Sequence, residues 1–153
     1  MRNLLTIIMM SVIGLLSAQN VDVEVVNGKY FNLDGNLFTG TYTEYAEGIK
    51  ISELNIEEGV LSGSVLYFHL NGNLKEQGQY NNGLKTGDWK QYNSVGSITS
   101  TATFVDDKKD GQWMVWDDAG NKRFEMYYSN GKKVGVWKMW DDKGEMTTKD
   151  FGN

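Results

Sequence analysis

The chain has 153 residues, 18 of them glycine, with no proline, no cysteine, one histidine and a formal charge of −5. That length holds one ordinary domain, the absent thiols exclude disulfides and a cysteine–histidine zinc set, and the acidic balance disfavours nucleic acid and anionic lipid as partners. Five Trp, eight Tyr and six Phe exclude collagen-like and disordered chains.

Residues 1–18 read as a secretory signal peptide. Arg2 supplies a positive start, Leu4 to Leu16 is uncharged, and Ser17-Ala18 are small, so cleavage is expected after Ala18. Thirteen apolar residues are short for a membrane span, which needs about 20. Leu16-Ser17-Ala18 resembles the run before the lipidated cysteine of bacterial lipoproteins, but Gln19 follows. The mature chain is therefore expected to be exported and soluble, periplasmic or extracellular, with its charge taken from −5 to −6 by loss of Arg2. Residues 19–39 read as lead-in strands or a partial repeat, with Asn27-Gly28 and Asp34-Gly35 marking one hairpin.

From residue 40 the chain repeats. Gly40, Gly63, Gly87, Gly111 and Gly135 are 23, 24, 24 and 24 residues apart. Nine residues after the last four stand Gly72, Gly96, Gly120 and Gly144; Gly48 comes at eight in the first unit, as one deletion would produce. Large residues keep the same step. Tyr42, Val65, Trp89, Trp113 and Trp137 lie two after each start glycine, and Tyr45, Phe68, Tyr92, Trp116 and Trp140 five after. Tyr80, Phe104 and Tyr128 lie seventeen after, with Ile56 in the shortened unit. Five tandem β-hairpins over 40–153 follow, each read as strand, turn, strand, turn, the third with Asp88 to Tyr92 as its first strand. Asn71-Gly72, Asn82-Gly83 and Asn130-Gly131 are hairpin signals. The glycine spacing leaves no window for a helix.

The motif G-x-W-x-x-Y/W-x-x-x-G, followed by an aromatic and Asn-Gly, resembles the MORN-variant (MORN_2-type) repeats of bacterial proteins. GDWKQYNSVG, GQWMVWDDAG and GVWKMWDDKG match best; GSVLYFHLNG lacks the first aromatic and GTYTEYAEG is one residue short. The resemblance covers about 40–153, with NLDGNLFTG as a further fragment. It implies an all-β fold, an open antiparallel meander in one twisted, elongated sheet. Short turns that make sequential strands neighbours fit that independently. About ten strands at about 4.8 Å would extend on the order of 50 Å. Some relatives are antitoxin-like, which makes an inhibitor of a partner protein one implied role.

Trp89, Tyr92, Trp113, Trp116, Trp137 and Trp140 are the candidate binding residues, and the same rings are candidates for the core. Trp113 and Trp116 differ by three, so strict alternation sends them to opposite faces, while a bulge would restore them to one; the spacing leaves both open. Asp117-Asp118 and Asp141-Asp142 are expected on one rim and Lys108-Lys109 and Lys132-Lys133 on the other, as solvated loops. The Asp pairs lack the calcium-loop order. His69 stands alone, no catalytic constellation is present, and no cofactor or metal is expected. The sequence thus reads as an exported, non-enzymatic module for protein–protein interaction or scaffolding. The alternatives are antitoxin-like inhibition and glycan or cell-wall binding through exposed aromatics.

Overall fold

In the computed structural model residues 22–152 are described, so the signal-peptide reading of residues 1–18 lies outside them. Among the described residues there is no helix. The strands are β1 (Val23–Val26), β2 (Lys29–Asn32), β3 (Gly40–Ala46), β4 (Ile49–Glu57), β5 (Val60–Phe68), β6 (Leu74–Asn81), β7 (Leu84–Tyr92), β8 (Ile98–Val105), β9 (Lys108–Lys109), β10 (Gly111–Trp116), β11 (Lys122–Ser129), β12 (Lys132–Trp140) and β13 (Met146–Asp150).

Local chemistry decides where the chain reverses. Asn82-Gly83 and Asn130-Gly131 put both residues at positive φ (46° and 82°; 47° and 82°), the hairpin turn whose twist matches its strands. On the opposite edge the loops are longer. Asn93, Asp117 and Asp141 lead three of them, and each Oδ1 accepts the backbone N–H groups two and four residues on, at 2.8–3.2 Å. Asn71-Gly72 belongs to such a loop rather than to a two-residue turn, closed by His69 N–H donating to the Asn73 carbonyl at 2.8 Å. The deletion in the first unit shortens its loop to Glu47-Gly48.

The result is an open meander. β3 to β13 form one antiparallel sheet in chain order, β9 and β10 both pairing with β8, while β1 and β2 form a separate two-stranded ribbon. Strands begin earlier than the glycine grid suggests: β7 starts at Leu84, not Asp88, and runs through Gly87. Gln77 faces Lys90 and Gln79 faces Thr86, so one residue of β6, Gly78, opposes three of β7, and Gly87 takes φ 65° at this bulge. The same one-against-three mismatch recurs at β4–β5 and β11–β12. The start glycines Gly63, Gly87 and Gly135 are therefore bulge residues inside strands, while Gly40 and Gly111 open β3 and β10.

A second bulge settles the question of faces. Gln91 pairs with Ser100 and Tyr92 with Ile98, which leaves Thr99 of β8 as the extra residue. The irregularity sits in the returning strand, so alternation from Trp89 to Tyr92 is unbroken and the two rings point to opposite faces. The buried cluster of Phe38, Leu54, Ile56, Val65 and Trp89 lies on the Trp89 face, where Val23 and Tyr30 of the β1–β2 ribbon pack against it. Tyr30 N–H donates to the Gly59 carbonyl and Gly59 N–H to the Phe38 carbonyl (2.9 and 2.8 Å), which fastens the ribbon over the first hairpins.

A sealed aromatic row and an open one

The two aromatic series of the sequence serve two different faces. On the first, ring follows ring: Tyr80–Trp89 5.3 Å, Trp89–Phe104 6.2 Å, Phe104–Trp113 5.3 Å, Trp113–Tyr128 5.5 Å, Tyr128–Trp137 5.1 Å and Trp137–Phe151 4.5 Å between centroids. Tilted and edge-on contacts of this kind are each worth about 0.5–1.5 kcal/mol beyond area burial. Equivalent tryptophans thus line up from unit to unit with a second ring between them. Trp89 and Trp137 are 3% and 7% exposed, and Trp113 is half-buried. Their indole N–H groups donate to the carbonyls of Thr86, Tyr127 and Thr103, at 3.2, 3.0 and 3.2 Å.

Lysines close this row from above. Lys85, Lys109 and Lys133 place their ammonium groups 3.8, 3.9 and 4.7 Å from the ring centroids of Trp89, Trp113 and Trp137, and 5.5, 4.9 and 5.2 Å from Phe104, Tyr128 and Phe151. Lys109 and Lys133, expected in solvated loops, also place their ammonium groups over aromatic rings, Lys109 half-buried and Lys133 exposed. A signal for this was present, since Lys85, Lys109 and Lys133 stand two before successive start glycines. Phe38 and Leu61 hold that position in the first two units and join the core directly.

The other face carries Tyr45, Phe68, Tyr92, Trp116 and Trp140. Each faces a residue of the returning strand: Lys50, Leu74, Ile98, Lys122 and Met146. Lys50 Nζ lies 4.6 Å from the Phe68 ring and Lys122 Nζ 5.6 Å from the Trp140 ring, so the spacer side chains sit between rings of successive units. Among the described residues no second layer covers this row. Tyr45, Ile98 and Met146 are 47%, 40% and 53% exposed, the other rings half-buried. Rings two strands apart recur about every 9–10 Å. Of the six candidate binding residues, Tyr92, Trp116 and Trp140 belong to this open row; Trp89, Trp113 and Trp137 belong to the sealed one.

Polar residues border the open row, and one of them is a hub. Glu125, 9% exposed, accepts from Lys122 at 3.1 Å, from Lys138 at 3.0 Å and from the Tyr127 hydroxyl at 3.1 Å. Hydrogen bonds from Lys138 and then Lys122 hold its carboxyl down at about 2. At the loop edge, the Arg123 guanidinium bonds the carboxylates of Asp117 and Asp142, both at 2.8 Å, and donates to the Asp141 carbonyl. Arg123 therefore staples adjacent loops, and Asp117 is engaged by its own loop as well. The His69 ring bonds the Tyr92 carbonyl at 2.9 Å, tying the second unit to the third.

A hollow of about 470 Å³ opens beside Tyr67, with Ser52 donating to Glu44 at 2.6 Å on its wall. Burial first, then neighbouring charges, push the Tyr67 phenol up to about 12, so it stays protonated at neutral pH. Among the described residues no three His, Cys, Asp or Glu side chains converge as metal ligands.

Residues 61–82 match the family model of the MORN repeat variant. No curated protein matches the chain. Solved structures with a similar course include the glycosylation-associated protein (Gap123) complex from Streptococcus agalactiae, at 15% identity and TM-score 0.38, covering 68% of this chain and 19% of that one. Another is a GtfA/B complex bound to UDP and GlcNAc, at 9% identity and TM-score 0.30, covering 89% and 25% respectively. This chain spans a quarter or less of either, and likenesses at that level carry no functional argument. Residues 61–82 run from the lid position before Gly63, through one hairpin, to the turn that starts the next, and this segment of the chain is a MORN repeat variant.

Proposed function

We propose that the chain is an exported, non-enzymatic repeat module that binds another protein along its open aromatic row. The observation that carries this is the contrast between two rows of equal periodicity. One is closed by lysine arms and indole hydrogen bonds, and the other has no layer over it among the described residues along ten of the eleven strands from β3 to β13. Folding accounts for the first row. It does not require Trp116 and Trp140 on an uncovered face. An apolar centre with charged and amide margins is the layout of a protein interface, where Trp and Tyr anchors carry most of the binding energy. The export half of the proposal rests on residues 1–18 alone.

One observation favours a second reading. Ring spacing of about 9–10 Å is close to the length of two sugar units in an extended β-linked chain, so a single glycan strand could rest a ring on each aromatic. One experiment separates the two. Capture from the envelope fraction should yield a dominant protein whose retention falls at least about tenfold with Trp116→Ala or Trp140→Ala, as for interface hot spots. Retention unchanged by both substitutions, or no protein captured while a soluble polysaccharide quenches tryptophan emission, would refute the protein reading.

A further inference from the structure

The open row is not uniform along its length, and its least repetitive part is charged. Where β10, β11 and β12 meet, Glu125 binds Lys122 with one oxygen and Lys138 with the other. The repeat itself does not ask for this. The position of Lys138 holds Leu66, Lys90 and Met114 in other units, that of Glu125 holds Gln77 and Thr101, and that of Lys122 holds Leu74, Ile98 and Met146. Those residues build the same strands in the same register. The first unit keeps one ion pair of this kind, Lys50–Glu53 at 2.9 Å, without a second lysine.

Two ammonium groups around one carboxylate leave a local charge of plus one on a molecule whose formal charge is −5. Each ammonium has three donors. Among the described residues neither makes another hydrogen bond beyond the one to Glu125, and both side chains remain accessible, at 38% and 41% exposed. Glu125 stays ionised through the physiological range, its carboxyl held at about 2. Both ammonium groups are thus oriented before any ligand arrives, and Lys122 already lies toward the Trp140 ring. Trp116 lies across from Lys122 on β10.

We infer that this spot recognises an acidic peptide segment: a side-chain carboxylate bridges Lys122 and Lys138, and an adjacent apolar side chain rests on Trp116 or Trp140. The inference rests on the protein-binding reading of the open row and adds the partner's chemistry. A second carboxylate completes an alternating square of charges with Glu125, and prior fixing of both lysines reduces the ordering cost of binding.

The test uses the full chain and a labelled six-residue peptide of alternating glutamate and leucine, beside a counterpart with lysine for glutamate. Fluorescence anisotropy should show the acidic peptide binding and the basic one not. Lys138→Met should weaken binding about tenfold, with the salt dependence reduced, as loss of one charge contact requires. The triple variant Lys122→Leu, Glu125→Gln, Lys138→Met carries residue types that other units already use, so it keeps the fold and should lose binding. Equal binding of both peptides, or undiminished binding by the triple variant, would overturn the inference. So would polygalacturonate binding that depends on Lys138 when the peptide does not bind, which would assign the spot to an acidic glycan. A captured protein that needs Trp116 but is retained by the triple variant would refute the acidic segment while leaving the protein-binding reading intact.

Discussion

Gly78 lies outside the glycine grid, and it offers the sharpest test of the sealed row. It lies on β6 directly beneath the indole of Trp89. A Cβ added there would lie 2.2 Å from two ring carbons of Trp89 and 2.6 Å from a third. Contacts between carbon atoms relax only near 3.5 Å, so the ring must retreat by more than an ångström. It has nowhere to go. Tyr80 and Phe104 flank it at 5.3 and 6.2 Å, Lys85 caps it at 3.8 Å, and its N–H is bound to the Thr86 carbonyl. Overpacking of this kind costs about 1–3 kcal/mol, and Trp89, at 3% exposure, will sit near the upper end. Gly78→Ala should therefore lower stability by about 2–3 kcal/mol in urea unfolding followed by tryptophan emission. Gly72→Ala is the control, since its added methyl meets nothing within 4 Å and only the φ of +85° opposes it. A Gly78→Ala loss below about 1 kcal/mol would show that the ladder is soft and that Trp89 is not packed on the β6 backbone.

The contrast between the two rows predicts unequal costs for equal deletions. Trp113→Ala should cost about 3–5 kcal/mol, and Trp116→Ala about 1 kcal/mol; equal urea midpoint shifts would contradict the assignment of faces. Lys109→Met keeps the stem over Trp113 while removing the charge, and should cost about 0.5–1 kcal/mol. Lys109→Ala should also expose Trp113 and red-shift its emission. The Glu125 carboxyl lies below its ordinary 4.5 in the folded chain, at about 2. Its contribution is therefore present above about pH 4.5 and lost as pH falls toward 2. The stability advantage of the wild type over Glu125→Gln should shrink across that window, and urea midpoints that stay equally far apart there would refute the hub.

Much of the fold was legible because glycine and aromatic residues repeat at the same interval. Period alone gives hairpins of constant length, and turns too short for a crossover make consecutive strands neighbours. The meander and its open topology follow from those two facts. The bulges were less visible. A glycine at the start of each motif leaves room for a neighbouring ring or for a bulge, and Gly87 sits inside β7, where its φ of 65° admits two extra residues. That device accompanies the placing of Lys85 over Trp89, and without it the lysines two before Gly87, Gly111 and Gly135 have no reason to be there. Gly78 was missed for a related reason. Its equivalents Ala102 and Met126 are larger, so the position carries no periodic mark and is defined only by the ring packed on it.

The candidate site was legible as a list of rings but not as a surface. Period fixes which residues are equivalent; parity within the strand decides which face they share, and one bulge between Trp113 and Trp116 would have reversed it. The irregularity instead falls opposite, between Lys122 and Phe124 of β11, so the parity of β10 survives and Trp116 stays on the uncovered side. The charged hub was hidden for the opposite reason, because Lys122, Glu125 and Lys138 depart from the pattern their equivalents keep. In a repeat protein each unit contacts mainly its neighbours, so residues that hold the period mostly build the sheet. A departure tolerated by the same register is free to serve something else. That reasoning places binding at the C-terminal half of the open row, and it predicts that exchanging Leu66 for lysine, opposite Glu53 of the existing Lys50–Glu53 pair, would build a second acidic-peptide site between β4 and β5. The exchange should raise the stoichiometry of bound acidic peptide from one to two. A stoichiometry that stays at one in a folded variant would show that Trp116 and Trp140, rather than the lysine pair, define the site.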